Sequence, residues 1–291
     1  MNNELFRIEI HKFIDDAYDE LNKYKQIIYD IFREFHRVCK KNCITYYAAF
    51  GSLLSIVRDE MIILPWDKDA DLLLPISERC RMQEALKNDL TEDYFFMSHE
   101  INPNYRLLML RIGKKGFSLE TFHLDVFYLI GAPDSIKEQE KMREEIRHLI
   151  RKNEIKTHFH SKSIWTHEKG WKHLNFSCLK YKIKSHFYNI DKEFEELCNR
   201  YPYDLSNHYI TVGNGAEVFP KSIFEPKREI SVDGCECFVP YDSKEFLKLR
   251  YGDFMSLFPV ANRFDEFYNG YKDVLASVQN KNLTIGREFV L

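Results

Sequence analysis

The spacing of hydrophobic residues along this chain switches between a repeat of three to four positions, typical of helices, and a repeat of two, typical of strands. Each switch marks the start of a new structural element. Over residues 15–41 apolar residues recur every three to four positions, which predicts a long amphipathic helix. Residues 44–49 are rich in β-formers and predict a first strand. A short helix is expected at residues 53–58 with Ser52 as its N-cap, and an acidic strand follows at residues 66–74.

The rest of the pattern predicts further strands, a hairpin and helices. The predicted strands are residues 94–98, 105–111 and 121–130, and residues 229–239 form a hairpin around Asp233-Gly234. The predicted helices are residues 77–88 capped by Ser77, residues 135–153, a helix capped by Asp242 and ended by Gly252, and residues 262–279. This order of elements predicts an α+β fold in which helices flank a mixed sheet.

Composition narrows the class of protein. The chain has 291 residues, 44% of them hydrophobic, so it can form a sizeable core. Its formal net charge is only −3, which gives no indication of nucleic-acid binding. The cysteines number seven, at irregular spacing, and argue against a disulfide framework. With no apolar run of the roughly 18 residues that span a bilayer, we expect a cytoplasmic protein that can still contact the inner face of the membrane.

The strongest chemical signal is a set of carboxylates. Asp67, Asp69 and Asp71 occupy alternate positions, so on a strand all three point to one side. Asp125 lies in a second strand-like segment. Like charges on one face need compensation, and Mg²⁺ or Mn²⁺ with hard oxygen ligands is the usual source. A solvated strand edge is the alternative for the triplet alone.

Gly51, Ser52 and Arg58 precede the acidic strand and are candidates for binding phosphate. Glycine lets the backbone approach a ligand closely, and a helix start offers exposed N–H groups to an anion. Arg58 has the alternative of pairing with Asp59 or Glu60. Residues 147–186 are rich in basic side chains and histidine, which fits a solvated surface or a platform for an anionic glycan or lipid headgroup. The histidines and cysteines lack the paired spacing that is typical of zinc sites.

Four motifs resemble, in order, those of the LicD family, which includes bacterial phosphocholine transferases and the fukutin-related ribitol-phosphate transferases. They are Gly51-Ser52-Leu53-Leu54-Ser55-Ile56-Val57-Arg58, Leu64-Pro65-Trp66-Asp67-Lys68-Asp69-Ala70-Asp71, His123-Leu124-Asp125-Val126-Phe127, and Val239-Pro240 followed by Leu249-Arg250-Tyr251-Gly252-Asp253. The departures from the family pattern are Lys68 in place of a further Asp, Ser55 in place of Gly and Ser52 in place of Thr.

The resemblance implies a nucleotidyltransferase-like fold and a metal-dependent phosphotransferase. The implied donor is CDP-choline or a similar CDP-linked compound, the acceptor is a glycan or lipid-linked glycan, and CMP is released. Asp69, Asp71 and Asp125 would be catalytic, and Asp67 would join them at the metal. The expected division is a helical segment at residues 1–43, the catalytic core at 44–155 and a C-terminal LicD-type extension at 156–291 that completes the same domain. A nucleotidyltransferase that uses an NTP and a non-catalytic binding module remain alternatives.

Overall fold

The computed structural model describes residues 25–64, 67, 69–160, 165–168, 171–174, 176–213, 215–257 and 272. Residues 15–24 of the first predicted helix lie outside this set, as does the helix predicted at 262–279 apart from residue 272. Pro65, Trp66 and Lys68 also lie outside it. Within the described residues no helix is both long enough and apolar enough to cross a membrane.

Seven helices and eleven strands are described. The helices are α1 at residues 25–41, α2 Phe50–Leu54, α3 Arg79–Asp89, α4 Ile136–His160, α5 Phe176–His186, α6 Ile190–Asn199 and α7 Ser243–Tyr251. The strands are β1 Tyr47–Ala48, β2 Asp69–Pro75, β3 Tyr94–Met97, β4 Leu110–Lys114, β5 His123–Ala132, β6 Trp165–Glu168, β7 Trp171–Leu174, β8 His208–Val212, β9 Val218–Pro220, β10 Arg228–Val232 and β11 Cys235–Val239. A π-helical turn, Ser55–Asp59, continues α2.

Strand β5 is the centre of the main sheet. It pairs in parallel with β2, and β1 pairs with the other edge of β2 in the antiparallel sense. On its opposite edge β5 pairs with β4 near its start and with β8 near its end, both antiparallel, and β3 and β9 extend those two branches. The sheet is therefore mixed and flanked by helices, which confirms the α+β prediction. The hairpins β6–β7 and β10–β11 form two separate small sheets.

The core forms where the apolar faces of these elements meet. Phe32 and Phe35 of α1, Leu72 of β2, Ile210 of β8 and Phe246 of α7 are all 0% exposed and belong to one hydrophobic cluster. Burying a side chain of this size stabilises the fold by about 1.5–3 kcal/mol. The cluster therefore joins residues on both sides of position 155, while the division of the chain at residues 43 and 155 stays a prediction.

Two predicted caps are wrong. Ser52 is the third residue of α2, whose N-cap is Ala49. Its hydroxyl accepts a hydrogen bond from the backbone N–H of Asp71 at 2.9 Å, so a tertiary contact replaces the local one. Ser77 lies inside a short 3₁₀ turn, and the N-cap position of α3 is occupied by Glu78.

The predicted ends of α7 and the predicted β10–β11 turn are confirmed. Asp242 accepts a hydrogen bond from the N–H of Glu245 at 2.9 Å and so caps α7. Gly252 ends that helix with a φ of 70°, which glycine adopts without strain. Asp233 and Gly234 form the β10–β11 turn with φ values of 50° and 69°, the left-handed pair that a tight hairpin requires.

Candidate active site

The acidic residues of β2 and the polar residues of β5 meet across the parallel strand pair. Asp69 is aligned with His123, and Asp71 is aligned with Asp125. On the other side of β5, Arg111 of β4 is aligned with Asp125. Since side chains alternate along a strand and aligned residues share a face, all five point to the same side of the sheet. The site lies at the beginning of β2 and β5.

His123 joins two of the carboxylates. Its Nε2 is 3.3 Å from Asp69 Oδ2 and 3.3 Å from Asp125 Oδ1, and the side chain is only 2% exposed. Burial opposes the charged imidazolium, but the two carboxylates outweigh it and raise the pKa of His123. Burial likewise opposes ionisation of Asp69, yet His123 holds the pKa of Asp69 down to about 2. The result is a pair of carboxylates bridged by one buried histidine.

Arg111 neutralises Asp125 from the neighbouring strand. Its Nε donates to Asp125 Oδ1 at 2.6 Å, and a second guanidinium nitrogen donates to Oδ2 at 3.2 Å. Both side chains are 9% exposed, so the pair is buried. A forked guanidinium fixes the orientation of a carboxylate as well as its charge. Sequence reasoning missed this residue, because its alignment with Asp125 depends on the register of β4 against β5.

Asp71 differs from Asp69 in the direction of its pKa shift. Burial raises its pKa well above the ordinary value, and the charges of Asp69 and Asp125 add to the increase. The backbone N–H of Gly51 donates to this carboxyl group and opposes the shift. The backbone N–H of Asp71 is held by Ser52, as described above, so α2 anchors both the main chain and the side chain of this residue.

Gly51 is needed here for space. A Cβ at this position would lie 3.0 Å from Asp67 Oδ2 and 3.5 Å from Asp71 Oδ2. The first distance is shorter than an ordinary carbon–oxygen contact, so a larger residue would push the carboxylates away. Asp67 precedes β2 instead of lying within it, but its side chain still reaches the group of carboxylates beside Gly51.

Arg58 contacts its neighbour Asp59 in the structure. Its Nε and a terminal nitrogen donate to the two oxygens of Asp59 at 2.8 and 2.7 Å, within the π-helical turn that follows α2. The side chain is 5% exposed. Of the partners considered from the sequence, Asp59 is therefore the one engaged here, and contact with phosphate stays a prediction.

The C-terminal motif lies next to the acidic group. Burial raises the pKa of Tyr251, and the charges of Asp71 and Asp67 contribute to the shift, which places this tyrosine in their electrostatic environment. Arg250 lies over the rings of Phe50 and Tyr251, with its guanidinium carbon 5.9 and 5.0 Å from their centroids. Residues from α2 and α7, far apart in sequence, thus frame one side of the site.

The donor set fits a divalent cation. Ligand atoms of Asp69, His123 and Asp125 lie within 4.8 Å of one another, and Asp71 lies on the same face. Four aspartates meet two basic side chains here, Arg111 and His123, so acidic groups are in excess. A divalent ion would balance this excess, and oxygen-rich sites favour Mg²⁺ or Mn²⁺.

Comparison with known proteins agrees with this geometry. Residues 43–128 match the family model described as LicD/FKTN/FKRP, nucleotidyltransferase domain. The matched segment extends from just before β1 into β5 and contains the whole group of aspartates, together with Gly51, Ser52 and Arg58. No curated protein matches the chain.

Proposed function

We propose that this chain, whose nucleotidyltransferase domain belongs to the LicD family, transfers a substituted phosphate from a CDP-linked donor to a glycan hydroxyl and releases CMP. The family supports a phosphotransferase in general, and phosphocholine from CDP-choline is the group we expect to move. The observation that carries the proposal is the convergence of Asp69, Asp71 and Asp125 on one sheet face beside α2.

Transfer of a phosphoryl group depends on positioning and charge neutralisation more than on covalent help from the protein. Asp69, Asp71 and Asp125 would hold Mg²⁺ or Mn²⁺, with Asp67 as a further ligand or as a group that orients the others. When bound, the cation would supply the positive charge that the donor diphosphate needs. The chain's own contribution is to hold the carboxylates at the correct spacing.

Arg111 and His123 provide that control of spacing. Arg111 donates to both oxygens of Asp125, and His123 lies between Asp125 and Asp69. The forked contact engages both oxygens of Asp125 and fixes their orientation. This supports a role for Asp125 as a ligand that orients the acceptor hydroxyl, in preference to a role as the base that removes its proton.

The α2 segment would receive the donor phosphates. Ser52 accepts one hydrogen bond from the backbone of Asp71, and its own O–H remains able to donate to a phosphate oxygen. Arg58 would have to exchange Asp59 for phosphate to take part. We propose this exchange on charge grounds, since the donor diphosphate as a whole carries two negative charges and one carboxylate carries a single charge.

Helix α5 offers a surface for an anionic acceptor. Lys180 and Lys184 are exposed on it, and the apolar side chains of Phe176 and Ile183 are 75% and 56% exposed. A basic and apolar helix surface suits a lipid-linked glycan or the headgroups around it. We therefore propose that the protein acts in the cytoplasm with peripheral contact to a membrane.

The proposal is tested by product analysis. The full chain is incubated with an acceptor glycan, Mg²⁺ or Mn²⁺, and CDP-choline, CDP-ribitol, CDP-glycerol or CDP-ethanolamine in parallel, and CMP release is measured. We expect one donor to release CMP only when acceptor and cation are both present, with the acceptor gaining the mass of the substituted phosphate. A parallel incubation contains an NTP in place of the CDP-linked donor. Release of pyrophosphate in that incubation, with no CMP from any CDP-linked donor, would identify a nucleotidyltransferase instead.

A further inference from the structure

A second group of ligating side chains lies between helix α1 and the β10–β11 hairpin. His36 and Lys40 are one helical turn apart, so they share a face of α1. Glu229 and Glu236 share a face of the hairpin, because Glu236 is aligned with Ser231, two residues beyond Glu229. These two faces meet, and the ligand atoms of His36, Glu229 and Glu236 lie within 4.8 Å of one another.

His36 points into this group without completing a hydrogen bond. Its side chain is 6% exposed, and its Nε2 has no hydrogen-bond partner among the described residues. The nearest carboxylate oxygens are Glu229 Oε1 at 3.6 Å and Glu236 Oε2 at 3.8 Å. Two ligands of a tetrahedral zinc ion, each about 2.1 Å from the metal, are about 3.4 Å apart. The observed distances are too long for hydrogen bonds but close to the spacing of metal ligands.

The other ring nitrogen of His36 is fixed by the protein. Its Nδ1 lies 2.8 Å from the hydroxyl of Tyr46, which can either donate or accept a hydrogen bond. With Nδ1 engaged by Tyr46, Nε2 is the ring nitrogen that faces the two glutamates and can serve a metal. Hydrogen bonding of the second ring nitrogen is the usual way in which proteins orient a metal-binding histidine.

Lys40 occupies the outer side of the same group. Its ammonium donates to Glu229 Oε1 at 2.7 Å and to Glu236 Oε2 at 2.8 Å, the same two oxygens that face His36. The lysine side chain is 51% exposed and the two glutamates are 41% and 57% exposed, so solvent reaches the group from this side. A flexible ammonium can therefore move aside when a cation enters.

We propose that His36, Glu229 and Glu236 form a second cation site that takes Zn²⁺, with Lys40 as its built-in competitor. One imidazole and two carboxylates give a mixed nitrogen and oxygen set, which suits zinc better than the oxygen-preferring Mg²⁺. Bound zinc would join α1 to a hairpin almost 200 residues later in the sequence, and would stabilise the fold by binding only its native form. The site shares no residue with the strand carboxylates of the proposed reaction.

The test is a zinc titration of the full chain carrying Asp69→Asn, which weakens the strand site so that uptake reports on the second one. Metal-free protein is dialysed against ZnCl₂, and thermal unfolding is followed with and without zinc. Lys40→Met, Glu229→Gln and Glu236→Gln are added singly to this chain. Glu196→Gln serves as the matched control, since Glu196 is an exposed glutamate that pairs with Lys192 at 3.7 Å.

We expect Glu229→Gln and Glu236→Gln each to weaken zinc binding at least about tenfold, because each removes a ligand. Lys40→Met should strengthen binding and enlarge the zinc-induced rise in Tm, while Glu196→Gln should leave both unchanged. Stronger zinc binding in the lysine variant together with weaker binding in the glutamate variants is expected only if Lys40 competes with zinc for the two glutamates. Zinc affinity that is unchanged from the parent chain in Lys40→Met, or unchanged from the parent chain in the two glutamate variants, would overturn the proposal.

Discussion

The strand site and the helix–hairpin group have the same ingredients but different constraints. Each has one buried histidine close to two carboxylates, and each has a basic residue of its own, while the strand site also contains Asp67 and Asp71. At the strand site that residue is Arg111, whose side chain is 9% exposed and donates to both oxygens of Asp125. At the hairpin it is Lys40, which is half exposed and bridges Glu229 and Glu236.

The difference in burial between Arg111 and Lys40 makes the first a fixed positive charge and the second a displaceable one. If Arg111 moved away, buried Asp125 would lose its guanidinium partner, which is energetically costly. Arg111 therefore acts as a permanent part of the strand site. Lys40 can rotate into solvent with little loss, because exposed ion pairs contribute little to stability. The same set of residue types therefore supports two kinds of behaviour, and burial of the basic partner decides between them.

The largest expected effect follows from removing a carboxylate at the strand site. Asp71→Asn keeps the shape of the side chain but removes one of the charges that would hold the cation. We expect transfer to fall by about 10³-fold or more, with the fold intact, since electrostatic stabilisation of the transition state usually contributes most to catalysis in such sites. CMP release at saturating Mg²⁺ or Mn²⁺ measures the effect, and circular dichroism checks the fold.

Asp134→Asn is the matched control for that variant. Asp134 lies beyond the far end of β5, where it is exposed and bonds to His208 and Asn207, and it should tolerate the same substitution with full activity. Turnover by Asp71→Asn within a few-fold of the parent chain would exclude the aspartate group as the catalytic centre.

The next effect compares the two basic residues directly. Arg111→Met removes the forked partner of buried Asp125 and leaves it only the longer contact with His123 at 3.3 Å, which we expect to lower the free energy of unfolding by about 3 kcal/mol. Lys40→Met should change it much less, because that pair is exposed. Urea unfolding of both variants measures the difference.

A double variant tests the cause of the Arg111 effect. Adding Asp125→Asn to Arg111→Met removes the uncompensated charge and should recover part of the lost stability. Equal losses from Arg111→Met and Lys40→Met would show that burial does not distinguish the two clusters in the way we describe.

The sequence allowed part of this site to be predicted. Alternation of Asp69 and Asp71 requires only that the segment be a strand, and the turn at Asp233-Gly234 depends on two neighbouring residues. Arg111 could not be found in this way, because it reaches Asp125 only if β4 pairs with β5 in one register. Local periodicity does not determine that register.

Ser52 illustrates the same limit. Its position beside a helix start favoured a capping role, and local rules gave no reason to reject it. The structure uses its hydroxyl for the backbone of Asp71, nineteen residues later. The His36 group is a stronger case, since its members come from α1 and the hairpin. Contacts between distant segments decide such sites, and a single sequence does not display them.

A smaller effect is expected from the contact between α2 and β2. Ser52→Ala removes the acceptor for the N–H of Asp71 and the hydroxyl that we assign to the donor phosphate. We expect affinity for the CDP-linked donor to fall about three- to tenfold, the effect of one hydrogen bond, with acceptor binding much less affected. Isothermal titration with donor and cation measures the change.

Ser55→Ala is the control, because Ser55 is buried in the next turn and its hydroxyl has no hydrogen-bond partner among the described residues. It should bind the donor as the parent chain does. If Ser52→Ala also binds normally, the serine has only a structural role.

The smallest effect distinguishes Asp69 from Asp71 in the cation-free chain. Burial and neighbouring charge raise the pKa of Asp71, so ionising it destabilises the fold as pH rises above the ordinary carboxyl range. Asp71→Asn removes that penalty and should add about 1 kcal/mol to the free energy of unfolding at pH 7.5 in EDTA, although it abolishes transfer.

Asp69 should behave in the opposite way. Despite its burial, His123 lowers the pKa of Asp69 from 3.8 to about 2, so its stabilising contribution is present above the ordinary value and lost as pH falls toward 2. Asp69→Asn should therefore reduce stability at pH 7.5 by about 1 kcal/mol, and the difference from the parent chain should vanish at the acid end of that range. Urea unfolding in EDTA between pH 2 and 8 measures both variants. Shifts of the same sign at pH 7.5 would mean that His123 does not separate the two carboxylates, and that the strand site is an undifferentiated acidic patch.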